Sequence, residues 1–300
     1  MSITELHKLF LQSTGVSTDS RNLWDGCIYL SLKGEHFNGN DFATQALKEG
    51  AAYSVIDEKD FVTLDERLIK VENGLETLQK LASYHRTFCG WPTLGITGSN
   101  GKTTSKELIG AVLSNKYNTL ITEGNLNNHI GVPLTLLQGN QKHNLAIIEM
   151  GASHPGDIAE LSDIADPDIG LITNIGKAHL EGMVGIKGVL KTKGELFNHV
   201  LNKKGKLLLN MNQPLLADVY SGKEHLNFGS ENGTDIQAIP DNVSGYLNVK
   251  WRLKNESDWR SIKTNLVGTY NLDNVLSAIT VGVFFGIGPS EIGKAIEGYV

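Results

Sequence analysis

Cysteine is almost missing from this chain. Cys27 and Cys89 are the only two, and neither falls in a CxxC or a Cys/His pattern, so the expectation is two free thiols in a reducing cytosol. Long apolar runs are missing as well. The longest, 278–287, is broken by Thr280, Gly282 and Gly286 and is far short of the roughly 20 apolar residues that a bilayer requires. No basic stretch followed by an apolar core opens the sequence. These absences set the expectation of a cytoplasmic protein with no membrane partner. An excess of basic charge is also lacking: 27 Lys and Arg against 33 Asp and Glu leave a net charge of -6. That offers no field for a polyanion, so no nucleic acid partner is expected, while small anions can still bind locally. No repeat or low-complexity tract occurs.

What is present describes a globular chain, 40% hydrophobic and 20% charged, and its 300 residues exceed one ordinary core, so two domains are expected. The most informative stretch is Thr97-Gly98-Ser99-Asn100-Gly101-Lys102-Thr103-Thr104. Glycines let a backbone curl until several N–H groups face one anion, a helix beginning near Thr103 adds its positive end, and Lys102 can reach terminal phosphates. Thr103 would then hold Mg²⁺. Ile96 stands where the usual pattern has its first glycine, leaving the shorter Gly-x-x-Gly-Lys-Thr spacing. The flanks fit a phosphate loop: 93–97 is a short buried strand, and Lys106, Leu108, Ile109, Val112 and Leu113 have helical spacing.

Around this loop, strands are expected over 27–32, 53–57 and 68–71, and helices over 42–49 and 74–88, forming a small α/β domain in residues 1–90. Cys89-Gly90-Trp91-Pro92 combines a helix stop with a proline and marks the boundary. From residue 91 to 300 strands (93–97, 119–122, 145–149, 169–173, 206–210) alternate with helices (from 103, 157–164, 186–200). Next come a hairpin with arms 246–253 and 260–266 and a helix over 271–285. The fold class is therefore α/β: a small N-terminal α/β domain, then a central P-loop domain with a mostly parallel sheet and flanking helices. In such a sheet the strand C-termini gather the ligands. The phosphate loop, Glu149, Asn174 and Asn210 all follow strands on that rim. Glu149 ends a wholly apolar strand, where an acid needs a charge partner and where a carboxylate can bind Mg²⁺. His179, in a glycine-flanked loop, is a candidate ligand. Lys193 reads as a solvated helix face unless its amine is neutral; at an ordinary pKa near 10.4 only about one lysine in 2,500 is neutral at pH 7.

These residues resemble the Mur ligases, ATP-dependent amide-bond synthetases of bacterial cell-wall precursor assembly, and within them the branch that adds D-Ala-D-Ala. The likeness rests on the phosphate loop with Lys106-Glu107, on Gly124-Asn125-Leu126-Asn127-Asn128 with Gly131-Val132-Pro133-Leu134-Thr135, on Glu149-Met150-Gly151, and on Asn174-Ile175-Gly176 leading to Ala178-His179-Leu180-Glu181. It implies that ATP phosphorylates the terminal carboxylate of a UDP-N-acetylmuramoyl-tripeptide and that the amine of D-Ala-D-Ala attacks the acyl phosphate. Carried over by position, the resemblance makes Lys102 a catalytic residue and Gly98, Ser99, Asn100, Gly101, Lys102, Thr103 and Thr104 the nucleotide cradle, with Asn271 beside adenine. Thr103 and Glu149 become ligands of one Mg²⁺, His179 of a second, and carbamylated Lys193 supports that second metal. Ser20, Arg21, Lys33, Phe37 and Asn127 become substrate contacts. Asn38-Gly39-Asn40-Asp41 departs from the family's Asp-Gly-His-Asp type of run.

The family carries a third domain beyond the helix at 290–297, so this chain is expected to be a fragment, a monomer, with little or no ligase activity alone. Two alternatives stay open. One is a folylpolyglutamate-synthase-like ligase, against which the first domain argues. The other is a P-loop nucleotide switch without amide chemistry, which would hydrolyse ATP unstimulated.

Overall fold

The computed structural model describes residues 1–58, 65–176, 185–242 and 245–300. They form two compact units: Met1–Gly90 with His129–Gln141, and Trp91–Asn128 with Lys142–Val300. No described helix is long and apolar enough to cross a membrane.

In the first unit, helix α1 (Ile3–Gln12) opens with a capping box in which Ser2 and Glu5 exchange side-chain and backbone bonds, and it buries Leu6, His7 and Phe10. Sequence periodicity had not suggested it, although Ser2-x-x-Glu5 is the pattern that satisfies the first orphan amides of a helix. Strands β1 (Val16–Ser17), β2 (Ile28–Leu30), β3 (Tyr53–Ile56) and β4 (Leu68–Lys70) pair in that order, all parallel. Helix α2 (Ala43–Lys48) links β2 to β3, and α3 (Gly74–Cys89) starts at Asn73, whose side chain accepts the Glu76 amide. Cys27, Tyr29, Ala46, Leu47 and Ile56 form part of the core. The helix Gly131–Gln138, which the sequence reading left without an element and inside the central domain, packs on α3 in this unit.

The second unit begins with β5 (Thr93–Thr97), α4 (Lys102–Leu113) and β6 (Thr119–Ile121); after Gly131–Gln138, here α5, come β7 (Leu145–Glu149), α6 (Asp157–Ala165), β8 (Ile169–Ile172), α7 (Gly185–Asn202) and β9 (Lys206–Asn210). Then follow α8 (Pro214–Tyr220), β10 (His225–Gly229), β11 (Ile236–Asn242), β12 (Tyr246–Leu253), β13 (Arg260–Val267), α9 (Leu272–Phe284) and α10 (Pro289–Glu297). The sheet runs β13-β12-β11-β10-β9-β8-β5-β7-β6. Every neighbouring pair from β6 to β11 is parallel, and β12 and β13 continue it antiparallel. Strands β5, β7 and β8 are buried at every residue, as expected where helices cover both faces. Leu108, Ile109 and Val112 of α4 and Val275, Leu276 and Ile279 of α9 share one core with Leu94, Ile96 and Ile147, each full burial contributing about 1.5–3 kcal/mol.

Candidate active site

β5 lies between β7 and β8, both of which come later in the chain. A strand flanked in this way opens a crevice at its C-terminal end, and there the chain enters loop 98–101 and then α4. Gly98 (φ 154°) and Gly101 (φ 74°) hold backbone conformations that side chains resist. A Cβ on Gly98 would overlap Thr173 Oγ1, and one on Gly101 would overlap Asn274 Oδ1. The loop is pinned to the segment after β8. Ser99 N–H donates to Asn174 O (3.1 Å), Asn100 N–H to Asn174 Oδ1 (3.0 Å), and Thr173 Oγ1 to Asn100 O (2.7 Å). Two of the amides expected to cradle phosphate are therefore engaged by Asn174. Gly101 caps α4 with no side-chain cap, so the first-turn amides of Lys102, Thr103 and Thr104 are left for an anion.

A part-buried lysine and a buried one converge here. Lys102 Nζ donates to Gly98 O at 2.8 Å. Burial pulls its pKa down, and Glu149 pulls it back up. Lys193, on α7, is only 2% exposed. Burial first, and then the charge of Lys102, bring its pKa down to about 8 against the opposing pull of Asp157 and Glu195. Glu195 is held in place by the Gly156 and Ala159 amides, 2.9 Å each, at the start of α6. The reading of Lys193 as a solvated face is thus replaced by a buried amine whose proton is loosely held.

Glu149, the last residue of β7, is 1% exposed. Its Oε2 accepts from Thr103 Oγ1 (3.1 Å) and its Oε1 from Asn127 Nδ2 (2.8 Å). Asn127, expected at the substrate, here serves the carboxylate. Asn271 also has internal partners: its Nδ2 donates to Val267 O and its Oδ1 accepts from Asn274 Nδ2. Asn274 in turn accepts from Ser105 Oγ at 3.0 Å, bracing α9 against the start of α4. Asn210 Nδ2 donates to Thr173 O at 3.1 Å, joining the fourth strand end to the same network. His179 lies outside the described residues. Among the described residues no group of three His, Cys, Asp or Glu could hold a metal ion, and the oxygens the crevice offers are the Thr103 hydroxyl and the Glu149 carboxylate. Those hard oxygens suit Mg²⁺.

In the first unit the remaining candidates sit on loops that follow strand ends. Ser20 and Arg21 follow β1, where Arg21 pairs with Asp19 at 2.9 Å. Lys33 follows β2 and pairs with Asp57 at 3.1 Å, and Phe37 is 60% exposed. Tyr29 sits under both loops, donating to Gly39 O at 2.9 Å. Its phenol is pushed up to about 12 by burial, then by Asp19 and Asp41. The sequence assigns Lys106 and Asn274 no individual role. The signal for Lys106 was present, since it shares the apolar helical stripe of Ile109 and Leu113.

Residues 96–282 match the family description Mur ligase middle domain, and residues 12–86 match Mur ligase family, catalytic domain. The chain belongs to the Mur ligase family. The UDP-N-acetylmuramoyl-tripeptide–D-alanyl-D-alanine ligase of Bacillus subtilis is 36% identical over 287 residues, covering 95% of this chain and 61% of that protein. The chain thus spans about three fifths of the length of that curated relative. Among solved structures, MurF from Acinetobacter baumannii superposes with a TM-score of 0.85 at 28% identity, over 98% of this chain and 68% of that one. The MurF ligase of Thermotoga maritima, in complex with ADP, gives 0.84 at 28% identity, over 95% and 66%. In this Mur ligase the phosphate loop, Glu149 and Lys193 fall within the middle-domain match, whereas Ser20, Arg21, Lys33 and Phe37 fall within the match over 12–86.

Proposed function

We propose that this Mur ligase chain serves ATP-dependent amide-bond formation, joining D-Ala-D-Ala to a UDP-N-acetylmuramoyl-tripeptide in the cytoplasm for peptidoglycan synthesis. The observation that carries the reading is the crevice after β5, where open helix amides, a part-buried and a buried lysine and a buried carboxylate meet in a chain whose curated relatives bear that ligase name. In this reading Lys102 and the Lys102–Thr104 amides hold the β- and γ-phosphates. The peptide carboxylate attacks the γ-phosphorus and ADP departs. The dipeptide amine then attacks the acyl carbon, losing a proton as phosphate leaves.

Thr103 and Glu149 are the oxygens that would hold Mg²⁺, and His179 is assigned to a second ion. Bound there, Mg²⁺ would supply charge neutralisation between carboxylate and phosphate, which otherwise repel. Lys193 fits the amine that CO₂ would carbamylate: with a pKa of about 8, roughly one molecule in ten is neutral at pH 7. One proton leaves to free the amine and a second leaves as its nitrogen adds to CO₂, which would turn a cation into an anion beside Lys102. The folylpolyglutamate-synthase reading is less supported, because the Mur ligase match also runs through residues 12–86.

The test is phosphate release from ATP by a polypeptide of the relatives' full length. Turnover that requires tripeptide and dipeptide together supports ligation, whereas hydrolysis indifferent to both supports a nucleotide switch.

A further inference from the structure

We propose that Lys106 is a positioning residue whose buried ammonium holds the Glu149 carboxylate facing Thr103. The inference rests on the reading of Thr103 and Glu149 as the Mg²⁺ oxygens and adds the device that orients them. Lys106 is 0% exposed and one of the largest fully buried side chains of the chain. A lysine is retained so deep only where its charge and donors are met.

Its partners are specific. Nζ donates to Thr122 O at 2.6 Å, lies 3.1 Å from Glu107 Oε1, and stands 3.8 Å from Glu149 Oε2. The Glu149 amide donates to Thr122 Oγ1 at 3.0 Å. Thr122 therefore grips both members of the pair, the lysine through its carbonyl and the glutamate backbone through its hydroxyl. On α4, Thr103 and Lys106 are three residues apart and share one face. One turn offers a hydroxyl and the next an ammonium to the same carboxylate oxygen, while Asn127 holds the other.

This division of labour separates two lysines of one helix. Lys102 turns to the loop carbonyl of Gly98 and is assigned to phosphate. Lys106 turns inward to Thr122 O and Glu149. Without it, Glu149 keeps its two neutral donors and loses the charge that favours one orientation.

Two measurements test this. The first is a melting cycle on Lys106→Met, Glu149→Gln and the double variant, without metal or nucleotide. The expected result is a double variant that loses clearly less than the sum of the single losses. Additive losses for Lys106 and Glu149 would overturn the proposal. The second is ADP affinity with Mg²⁺ and with EDTA. Lys106→Met is expected to weaken Mg·ADP binding about tenfold, as losses of groups that orient metal ligands do, and metal-free ADP binding less than twofold. Equal weakening under both conditions would mean a merely structural lysine. Should Lys106→Met not fold, Lys106→Gln carries the affinity measurement, since it keeps a donor for Thr122 O and lacks the charge; Mg·ADP binding equal to wild type then overturns the proposal. Wild-type ADP affinity that ignores Mg²⁺ would overturn the metal reading itself, while the melting cycle judges the Lys106 and Glu149 pair separately.

Discussion

Lys193 holds a proton that folding disfavours. Its ordinary pKa of 10.5 falls to about 8 in the folded chain, so between those values the unfolded chain keeps the proton and the folded chain sheds it. Stability contributed by this group therefore rises as pH climbs from about 8 to 10.5, and below about 8 the penalty is constant, of the order of 3 kcal/mol. The expected outcome is that Lys193→Met melts above wild type at pH 7 and that the gap narrows by pH 10; a gap independent of pH would contradict the assignment. Gly101→Ala tests the loop: it forces a side chain into φ 74° and against Asn274, a cost of about 1–3 kcal/mol readable as a lower melting temperature and weaker ADP binding. The loop was legible in sequence because glycine and lysine at fixed spacing have a local cause. The engagement of Ser99 and Asn100 by Asn174, and of Asn127 by Glu149, was not, because each joins residues far apart in the chain.

At the scale of elements, the first unit carries a histidine relay. His85 Nε2 is 3.0 Å from Gly139 O, which can only accept, so Nε2 bears the proton and Nδ1 accepts from His7 Nε2 at 2.9 Å. The relay ties α1 and α3 to the end of α5. Burial lowers the pKa of both rings, and for His7 the neighbouring His85 lowers it further. Their stabilising effect is thus present above about pH 6.5 and lost as pH falls through the depressed folded values. His85→Leu should cost about 1–3 kcal/mol at pH 7.5, leaving Gly139 O and the His7 donor unmatched, yet lose less than wild type between pH 7 and 5. An unchanged pH slope in thermal melts would remove the relay from the account. Continuous apolar runs made β5, β7 and β8 readable. β10 was missed because His225 and Asn227 interrupt its apolar pattern, although the sheet places it between β9 and β11.

For the whole molecule, alternation of strand and helix was enough to read the α/β class and the parallel sheet. It could not show that 129–141 joins the first unit, since an apolar helix does not specify which core receives it. The length of the sheet was equally hidden, because β11 joins β10 in parallel and β12 antiparallel, which local patterning does not encode. The second unit supplies the crevice, and the central claim is that it binds a nucleotide through the turn from β5 into α4. Ligand at about 100 times its Kd should stabilise that fold by about 2.7 kcal/mol. The most direct measurement is calorimetric titration of Mg·ADP into this chain and into Lys102→Ala. The expected result is saturable binding that the substitution weakens at least about tenfold, or about 1.4 kcal/mol. No binding by the wild-type chain, or equal binding by both, would contradict it.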